Sequence, residues 1–358
     1  MKIGILTFPN STSYGAVLQM SALYNYLKKQ NCEVEIINYC NLFMQKEQHY
    51  KKNKWSVMIK KLLHLKLYEK FKSYEKNELE LFPQKKLESH EELIELSKRY
   101  DTVICGSDQV WNPDITGNDL SYFLDFCGEK VNRVSYAPSF GVTELEASFQ
   151  EKMSKELEKF FLVSIREKEG QDMLKQIMNK EYPIVLDPTF LLSKEEWEEK
   201  EQKVYGIKNP YVVYYTVHSS EKLFRFAKKL AEEKGMDLLV IGGNFIKKFK
   251  NSDKKVNYCV DIGPKEWLYL MNHAEYVVTN SFHGTAFAIN FHKEFYVEFS
   301  SFFNSRLENI IRLTGLENRV INNTVGLSKE RIDYIKVNNK LADLMEESKA
   351  FLSKVISA

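Results

Sequence analysis

The chain has 358 residues, of which 44% are hydrophobic and 28% charged, and 51 Lys+Arg against 49 Asp+Glu leave a formal net charge of +2. Domains run to ~100–200 residues, so a chain this long is predicted to hold two. The near balance of charge excludes a protein held on duplex nucleic acid by bulk basicity, and 15 Gly, 8 Pro and 13% aromatic residues exclude collagen-like, low-complexity and disordered classes.

Short apolar runs alternate with amphipathic stretches along the whole chain. Ile3–Thr7 reads as a first buried strand and not as a secretory signal, since no basic segment leads into a long apolar run with a small-residue cleavage site. Tyr14–Gln30 follows as a helix, with Val17, Leu18, Leu23, Tyr24 and Leu27 at helical spacing, and Val34–Asn38 as a strand. Further strands are predicted at Thr102–Cys105, Arg133–Ala137, Leu162–Ser164 and Ile184–Leu186, with helices over Leu145–Phe160 and Glu167–Asn179. The charged stretch Ser193–Asn209 reads as an inter-domain linker. Beyond it come strands at Tyr211–Val217, Asp237–Ile241, Tyr276–Thr279 and Glu294–Glu298, helices over Glu221–Glu233 and Lys265–His273, and a helix opening at Thr285. Such alternation implies parallel strands joined by crossover helices. The fold class expected is α/β: two doubly wound Rossmann-like domains facing a cleft, over 1–192 and 209–325, with a last helix in 326–358 packing back on the first. Ligands in such sheets sit beyond the carboxyl ends of the strands.

The segment 46–80 interrupts this rhythm. It is rich in lysine, and Trp55, Met58, Ile59, Leu62 and Leu63 share one helical face. A basic amphipathic helix of this kind either lies on an anionic membrane surface or packs its apolar stripe on its own domain. No apolar run approaches the ~18 residues needed to span a bilayer, so a cytoplasmic protein, with peripheral contact at the inner membrane face at most, is expected. Cysteines at 32, 40, 105, 127 and 259 form no C-x-x-C pair and are read as reduced thiols.

There is no G-x-x-x-x-G-K-[ST], no G-x-G-x-x-G and no H-E-x-x-H, so neither a metal nor a cofactor is expected. The chemistry-bearing residues cluster instead on loops after predicted strands. The first loop, Phe8–Gly15, offers backbone N–H groups suited to an anion or a sugar, with Asn10, Tyr14, Gly15 and, one turn into the helix, Gln19 as contacts; the alternative is a plain N-cap by Ser11 or Ser13. Next comes Gly106-Ser107-Asp108-Gln109-Val110-Trp111-Asn112, which combines a carboxylate, amides and an indole as carbohydrate sites do, with Asp108 as acceptor-binding group or base. Arg166 opens a helix after a short strand, where a guanidinium can grip phosphate or carboxylate. The sharpest is Ser281-Phe282-His283-Gly284-Thr285 at a strand–turn–helix junction, where His283 can donate to a phosphate or shuttle a proton. Gly242-Gly243-Asn244 is a weaker candidate on the same rim, and Asp187 reads as structural.

Taken in order, Tyr14-Gly15-x-x-x-Gln19, Gly106-Ser107-Asp108-Gln109-x-Trp111-Asn112, Arg166-Glu167, Asp187-Pro188-Thr189 and Ser281-Phe282-His283-Gly284 resemble the polysaccharide pyruvyl transferase family. The resemblance implies a two-domain, GT-B-like enzyme that moves the enolpyruvyl group of phosphoenolpyruvate onto a glycan acceptor, usually as a cyclic ketal, with release of phosphate. It implies that Arg166 anchors the donor, that His283 binds the donor or transfers a proton, and that the acceptor is lipid-linked or polymer-bound. Several family members carry an Arg two residues before that His; here the position is Ser281, so that cationic contact is either missing or supplied from elsewhere, for instance by Lys265, Arg306 or Arg312. The competing readings are a GT-B glycosyltransferase using a nucleotide sugar and a non-catalytic two-lobed sugar-binding protein.

Overall fold

In the computed structural model, residues 1–41, 43–44, 65–242, 255–299, 305–321 and 330–358 are described. The chain divides into two compact units, Met1–Leu191 with Asp343–Ala358, and Leu192–Ala342.

In the first unit the elements are β1 (Lys2–Leu6), α1 (Tyr14–Lys29), β2 (Glu33–Tyr39), α2 (Leu65–Glu78), β3 (Leu81–Leu87), α3 (His90–Ser97), β4 (Thr102–Cys105), α4 (Pro113–Thr116), β5 (Asn132–Ser135), α5 (Ala147–Leu157), β6 (Leu162–Val163) and α6 (Lys168–Met178). The strands form one six-stranded sheet in the order β3-β2-β1-β4-β5-β6, every pairing parallel. Ile3, Ile5, Val103 and Ile104 are wholly buried, as sheet strands covered on both faces must be. Strand order reverses between β1 and β4, and this doubly wound order is that of a Rossmann-like domain. Phe351, Leu352 and Val355 from the chain's end join Leu23, Leu27 and Val34 in one of its cores.

The second unit contains α7 (Lys194–Glu198), β7 (Tyr211–Tyr215), α8 (Glu221–Lys234), β8 (Asp237–Ile241), β9 (Val256–Cys259), α9 (Pro264–Asn272), β10 (Tyr276–Thr279), α10 (Phe282–Asn290), β11 (Glu294–Val297) and α11 (Ser305–Thr314), and a final helix α12 (Tyr334–Ile356) starts there. Its parallel sheet runs β11-β10-β7-β8-β9, with the order reversing between β7 and β10. Trp267 and Phe287 are fully buried, with ring centroids 5.1 Å apart.

Four expectations are corrected. Residues 193–209 are not a free linker: Ser193 caps α7 reciprocally with Glu196, and Trp197 is buried edge-on against Phe287 of the second unit. Ile184–Leu186 forms no strand; only an isolated bridge joins Ile184 to Ile165, because Pro183 and Pro188 bracket a run too short for a ladder. β3 and β9, both at sheet edges, escaped the sequence pattern because Leu-Phe-Pro-Gln-Lys-Lys-Leu and Val-Asn-Tyr-Cys lack clean alternation, and the first carries a proline that only an edge tolerates. α10 begins three residues before the expected Thr285, which puts His283 inside its first turn.

The described end of the lysine-rich segment, α2, packs Phe71 on Tyr14 at 5.1 Å and donates the Tyr74 hydroxyl to Ser21 of α1 at 2.9 Å, so this part is a core contact of its own unit. Trp55, Met58, Ile59, Leu62 and Leu63, like Gly243 and Asn244, lie outside the described residues. All five cysteines are thiols, with Cys32, Cys105 and Cys127 buried. Among the described residues no helix is long and apolar enough to cross a membrane.

Candidate functional site

In each unit the crevice for a ligand is expected where strand order reverses. In the first unit that is the rim formed by the loops after β1 and β4. Three non-glycine residues there adopt left-handed backbone: Asn10 (φ 59°) after β1, Asp108 (φ 82°) after β4 and Ala137 (φ 54°) after β5. Each such residue costs on the order of 1 kcal/mol or more and persists only where its surroundings over-determine it, a pattern that concentrates at functional sites. Asn10 is fixed from two sides: its N–H donates to Glu75 of α2 at 2.8 Å, and its Nδ2 donates to Asn38 Oδ1 at 2.8 Å. The Asp108 carbonyl accepts from Ser139 at 2.9 Å, and its carboxylate accepts the Gln109 N–H at 2.8 Å.

Beneath this rim lies a buried ionic network. Arg166 Nη1 donates to Asp187 Oδ2 at 2.6 Å and to Ser107 Oγ at 3.1 Å, and its Nε lies 3.7 Å from Glu167 Oε2. Asp187 in turn accepts from the backbone N–H and hydroxyl of Thr189 at 3.0 and 2.8 Å, and Glu167 accepts the Ser139 hydroxyl at 2.7 Å. Burial works against the Arg166 charge, but the carboxylates of Asp187, Glu167 and Asp108 outweigh it and raise its pKa. The side chain is 3% exposed. The guanidinium is buried against the protein's own carboxylates, and it ties the end of β6 to the loop carrying Ser107 and Asp108. Asp187 is structural as expected, in that it supplies Arg166 with its counter-ion.

Other residues expected as contacts are buried or hydrogen-bonded within the protein. Trp111 is not a sugar platform: it is 0% exposed, stacked on Phe123 at 5.0 Å, with its Nε1–H donated to the Tyr122 carbonyl at 2.9 Å. Asn112 is spent capping α4 through the Asp114 N–H at 2.9 Å and donating to Gln109 Oε1 at 2.7 Å. Gln109 is half-buried and packs so closely on Gly141 (φ 62°) that an added Cβ there would meet its Oε1 at 2.3 Å. Gln19 is wholly buried, donating to Thr7 Oγ1 at 3.3 Å and to the Ala16 carbonyl at 3.0 Å, while Thr7 donates to the Ser107 carbonyl at 3.0 Å. Gly15 and Gly106 are buried, and Tyr14 is 8% exposed. The rim that remains accessible holds Asn10, Ser11, Thr12, Ser13 and Asp108.

In the second unit the loops after β7 and β10 meet. Asn280 Oδ1 accepts the Val217 N–H at 3.0 Å, and its Nδ2 donates to the His218 carbonyl at 2.8 Å, which bolts the two loops together. Ser281 then caps α10: its hydroxyl accepts the Gly284 N–H at 3.3 Å, its own N–H donates to Thr279 Oγ1 at 3.0 Å, and its carbonyl accepts the Thr285 hydroxyl at 3.1 Å. Ser281 and Thr285 therefore shape the turn. Gly284 is required sterically, since a Cβ there would sit 2.4 Å from Thr279 Oγ1. His283 stands in the first helical turn, 8% exposed, where the helix dipole favours negative charge. Its ring meets Phe282 edge-on at 5.0 Å, and the Arg306 guanidinium lies over the other ring, 6.0 Å from the Phe282 centroid. Of the three cations considered as replacements for an Arg at Ser281, Arg306 lies over Phe282 of this turn, and Arg312 is exposed in the last turn of α11.

Sequence reading overlooked Glu75 and the bracing role of Asn280. Glu75 was detectable as an acid at helical spacing from Phe71, on the stripe that ought to be apolar. Burial pushes its pKa from 4.5 up to about 7, against the opposing pull of the Asn10 and Ser11 N–H groups.

Comparison with solved structures shows a GT-B-like fold. A UDP-GlcNAc 2-epimerase from Methanocaldococcus jannaschii aligns with a TM-score of 0.53 at 14% identity, covering 96% of this chain and 93% of that one. A putative UDP-N-acetylglucosamine 2-epimerase from Listeria monocytogenes gives 0.54 at 12% identity, covering 99% and 90%. The UDP-GlcNAc 2-epimerase from Neisseria meningitidis bound to UDP-GlcNAc gives 0.50 at 14% identity, covering 98% and 93%. Among curated proteins no sequence matches. The family model for polysaccharide pyruvyl transferase matches residues 14–297, and the chain belongs to that family.

Proposed function

We propose that this protein transfers a pyruvyl group from phosphoenolpyruvate to a sugar of a cell-surface polysaccharide or its lipid-linked precursor. The observation that carries this reading is the family match over residues 14–297, which takes in β4 and the loop after it in the first unit and the strand-order reversal between β7 and β10 in the second. Phosphoenolpyruvate carries about three negative charges near neutral pH, its phosphate losing a second proton near pH ~6. The second unit has the matching chemistry: a helix N-terminus, an imidazole in its first turn and the Arg306 guanidinium beside it.

In this reading His283 delivers a proton to the methylene carbon of the enol, which leaves C2 as an oxocarbenium-like centre. One sugar hydroxyl attacks C2 and loses its proton to a base, for which Asp108 is the candidate. The C2–O bond to phosphate breaks, the second hydroxyl adds to C2, and its proton leaves with the phosphate. The net result is one ketal and one phosphate. Donors fixed where the charge develops supply much of the acceleration. Ser107 and Asp108 serve the acceptor, and Arg166 positions both from below.

The test is phosphate release from phosphoenolpyruvate in the presence of glycan acceptor. Wild-type protein should release phosphate and His283→Gln should not, with unchanged unfolding behaviour. Retained turnover in the variant would remove His283 from the reaction. A nucleotide-sugar reading is also on the table, because the Neisseria meningitidis neighbour is bound to UDP-GlcNAc. A melting-point rise with UDP and none with phosphoenolpyruvate would favour it, since only a ligand of the native state raises that temperature.

A further inference from the structure

The loop after β1 has backbone N–H groups of the kind that bind anions, but a carboxyl group from within the protein already occupies them, charged only as pH rises through about 7. Glu75 Oε1 accepts the Asn10 N–H at 2.8 Å, and the Ser11 N–H also bonds this carboxylate. Glu75 is 4% exposed, and α2 is anchored on α1 by the Phe71–Tyr14 contact and the Tyr74–Ser21 hydrogen bond, so the carboxylate cannot swing away from the loop. On its other flank Asn10 is held by Asn38, whose Nδ2 donates to the carbonyls of Pro83 and Gln84 at 3.1 and 3.2 Å. The Asn10 and Ser11 amides are thus turned toward Glu75, while the Ser13 N–H donates to the Ser11 hydroxyl at 3.1 Å on the outer side. Thr12 and Ser13 are exposed and Ser11 half-buried. Ser13 is the N-cap of α1 by position, but its hydroxyl makes no capping bond.

We infer that Glu75 is a positioning and specificity residue for the acceptor: its carboxylate fills the anion-binding amides of the β1–α1 loop, and so makes that loop a platform for sugar hydroxyls that holds no phosphate. A second anion brought to the same amides would face the carboxylate across the loop without a countercharge, since no basic side chain among the described residues pairs with Glu75. The left-handed Asn10 is held in place by the same bond. Removing the acceptor oxygen should let the loop relax toward ordinary backbone and misplace its hydroxyls. The inference rests on the proposed role of the first unit in acceptor binding, and deepens it by naming the class of group this loop takes and the one it refuses.

The experiment compares wild type with Glu75→Ala and Glu75→Gln. Initial rates are measured against acceptor and against phosphoenolpyruvate, and amide hydrogen exchange is followed over residues 8–13. Glu75→Ala should raise acceptor KM roughly tenfold, the value of one lost buried hydrogen bond, while kcat and donor KM stay within about twofold. Glu75→Gln keeps an acceptor oxygen at the same place and should restore acceptor KM to within about threefold. Exchange over 8–13 should quicken in the Ala variant and not in the Gln variant. A rise of donor KM in the Ala variant would show that the loop serves the anion and overturn the inference, as would unchanged acceptor KM. If wild type releases no phosphate from phosphoenolpyruvate, the reaction assignment fails on its own, and exchange still decides the loop: equal exchange in all three proteins refutes the role of Glu75 in holding it.

Discussion

Replacing Glu75 by Gln should change stability in a way that depends on pH, and the sign follows from burial. The carboxyl titrates at about 7 in the native state against an ordinary 4.5. Between those values the native state holds a proton that the unfolded chain has given up, so the contribution of Glu75 is fully present below pH ~4.5 and is lost as pH rises through ~7. The gap is worth about 3 kcal/mol, at ~1.36 kcal/mol for each pH unit. Gln has the same shape, keeps an oxygen to accept the Asn10 N–H, and carries no charge to bury. Relative to wild type, Glu75→Gln should gain about 3 kcal/mol on going from about pH 4.5 to about pH 8. For a folding unit of about 200 residues that is a differential melting shift of roughly 6–12 °C. Urea or thermal unfolding of both proteins across the range measures it, and the other carboxylates cancel in the difference. A stability difference that stays flat across pH would refute the buried, proton-holding carboxyl. A variant that loses ground as pH rises would mean that the Asn10 and Ser11 amides outweigh burial.

Further outcomes follow from the same contacts. Asp187→Ala removes the buried counter-ion of Arg166 and should cost about 3–5 kcal/mol in urea unfolding, whereas an exposed ion pair of similar geometry would cost under about 1. Gly284→Ala puts a Cβ 2.4 Å from Thr279 Oγ1, so it should lower melting temperature and turnover together, at about 1–3 kcal/mol for an overpacked site. Trp111→Phe should destabilise the first unit by vacating indole volume and orphaning the Tyr122 carbonyl, yet leave acceptor KM unchanged; a raised KM with unchanged stability would restore the indole as a ligand contact.

The sheets were legible from sequence where strands are central. Thr102–Cys105, Asp237–Ile241 and Tyr276–Thr279 are continuous apolar runs covered on both faces, and their bounds in the structure are those expected. Of the edge strands, β6 and β11 lie within one residue of the expected bounds, but β3 and β9 were missed, because Leu81–Leu87 and Val256–Cys259 mix polar residues with apolar ones. The placing of the motifs at strand ends was legible too, since each follows a buried apolar strand. What the residue types could not reveal was direction. Trp111, Asn112 and Gln19 have the chemistry of sugar contacts but point into the core, and Arg166 is drawn beneath the rim by Asp187, 21 positions along the chain. Glu75 differs: its place on the apolar stripe four residues after Phe71 was a visible signal, but its partner Asn10, 65 positions away, comes against it only in the fold.

The central claim is the donor, and the mass of the glycan product tests it most directly. After incubation with phosphoenolpyruvate and wild-type protein, the acceptor should gain one pyruvic acid less one water and lose two free hydroxyls, and His283→Gln should leave it unaltered. An acceptor that gains nothing from phosphoenolpyruvate but gains a sugar residue from a nucleotide sugar would contradict the account.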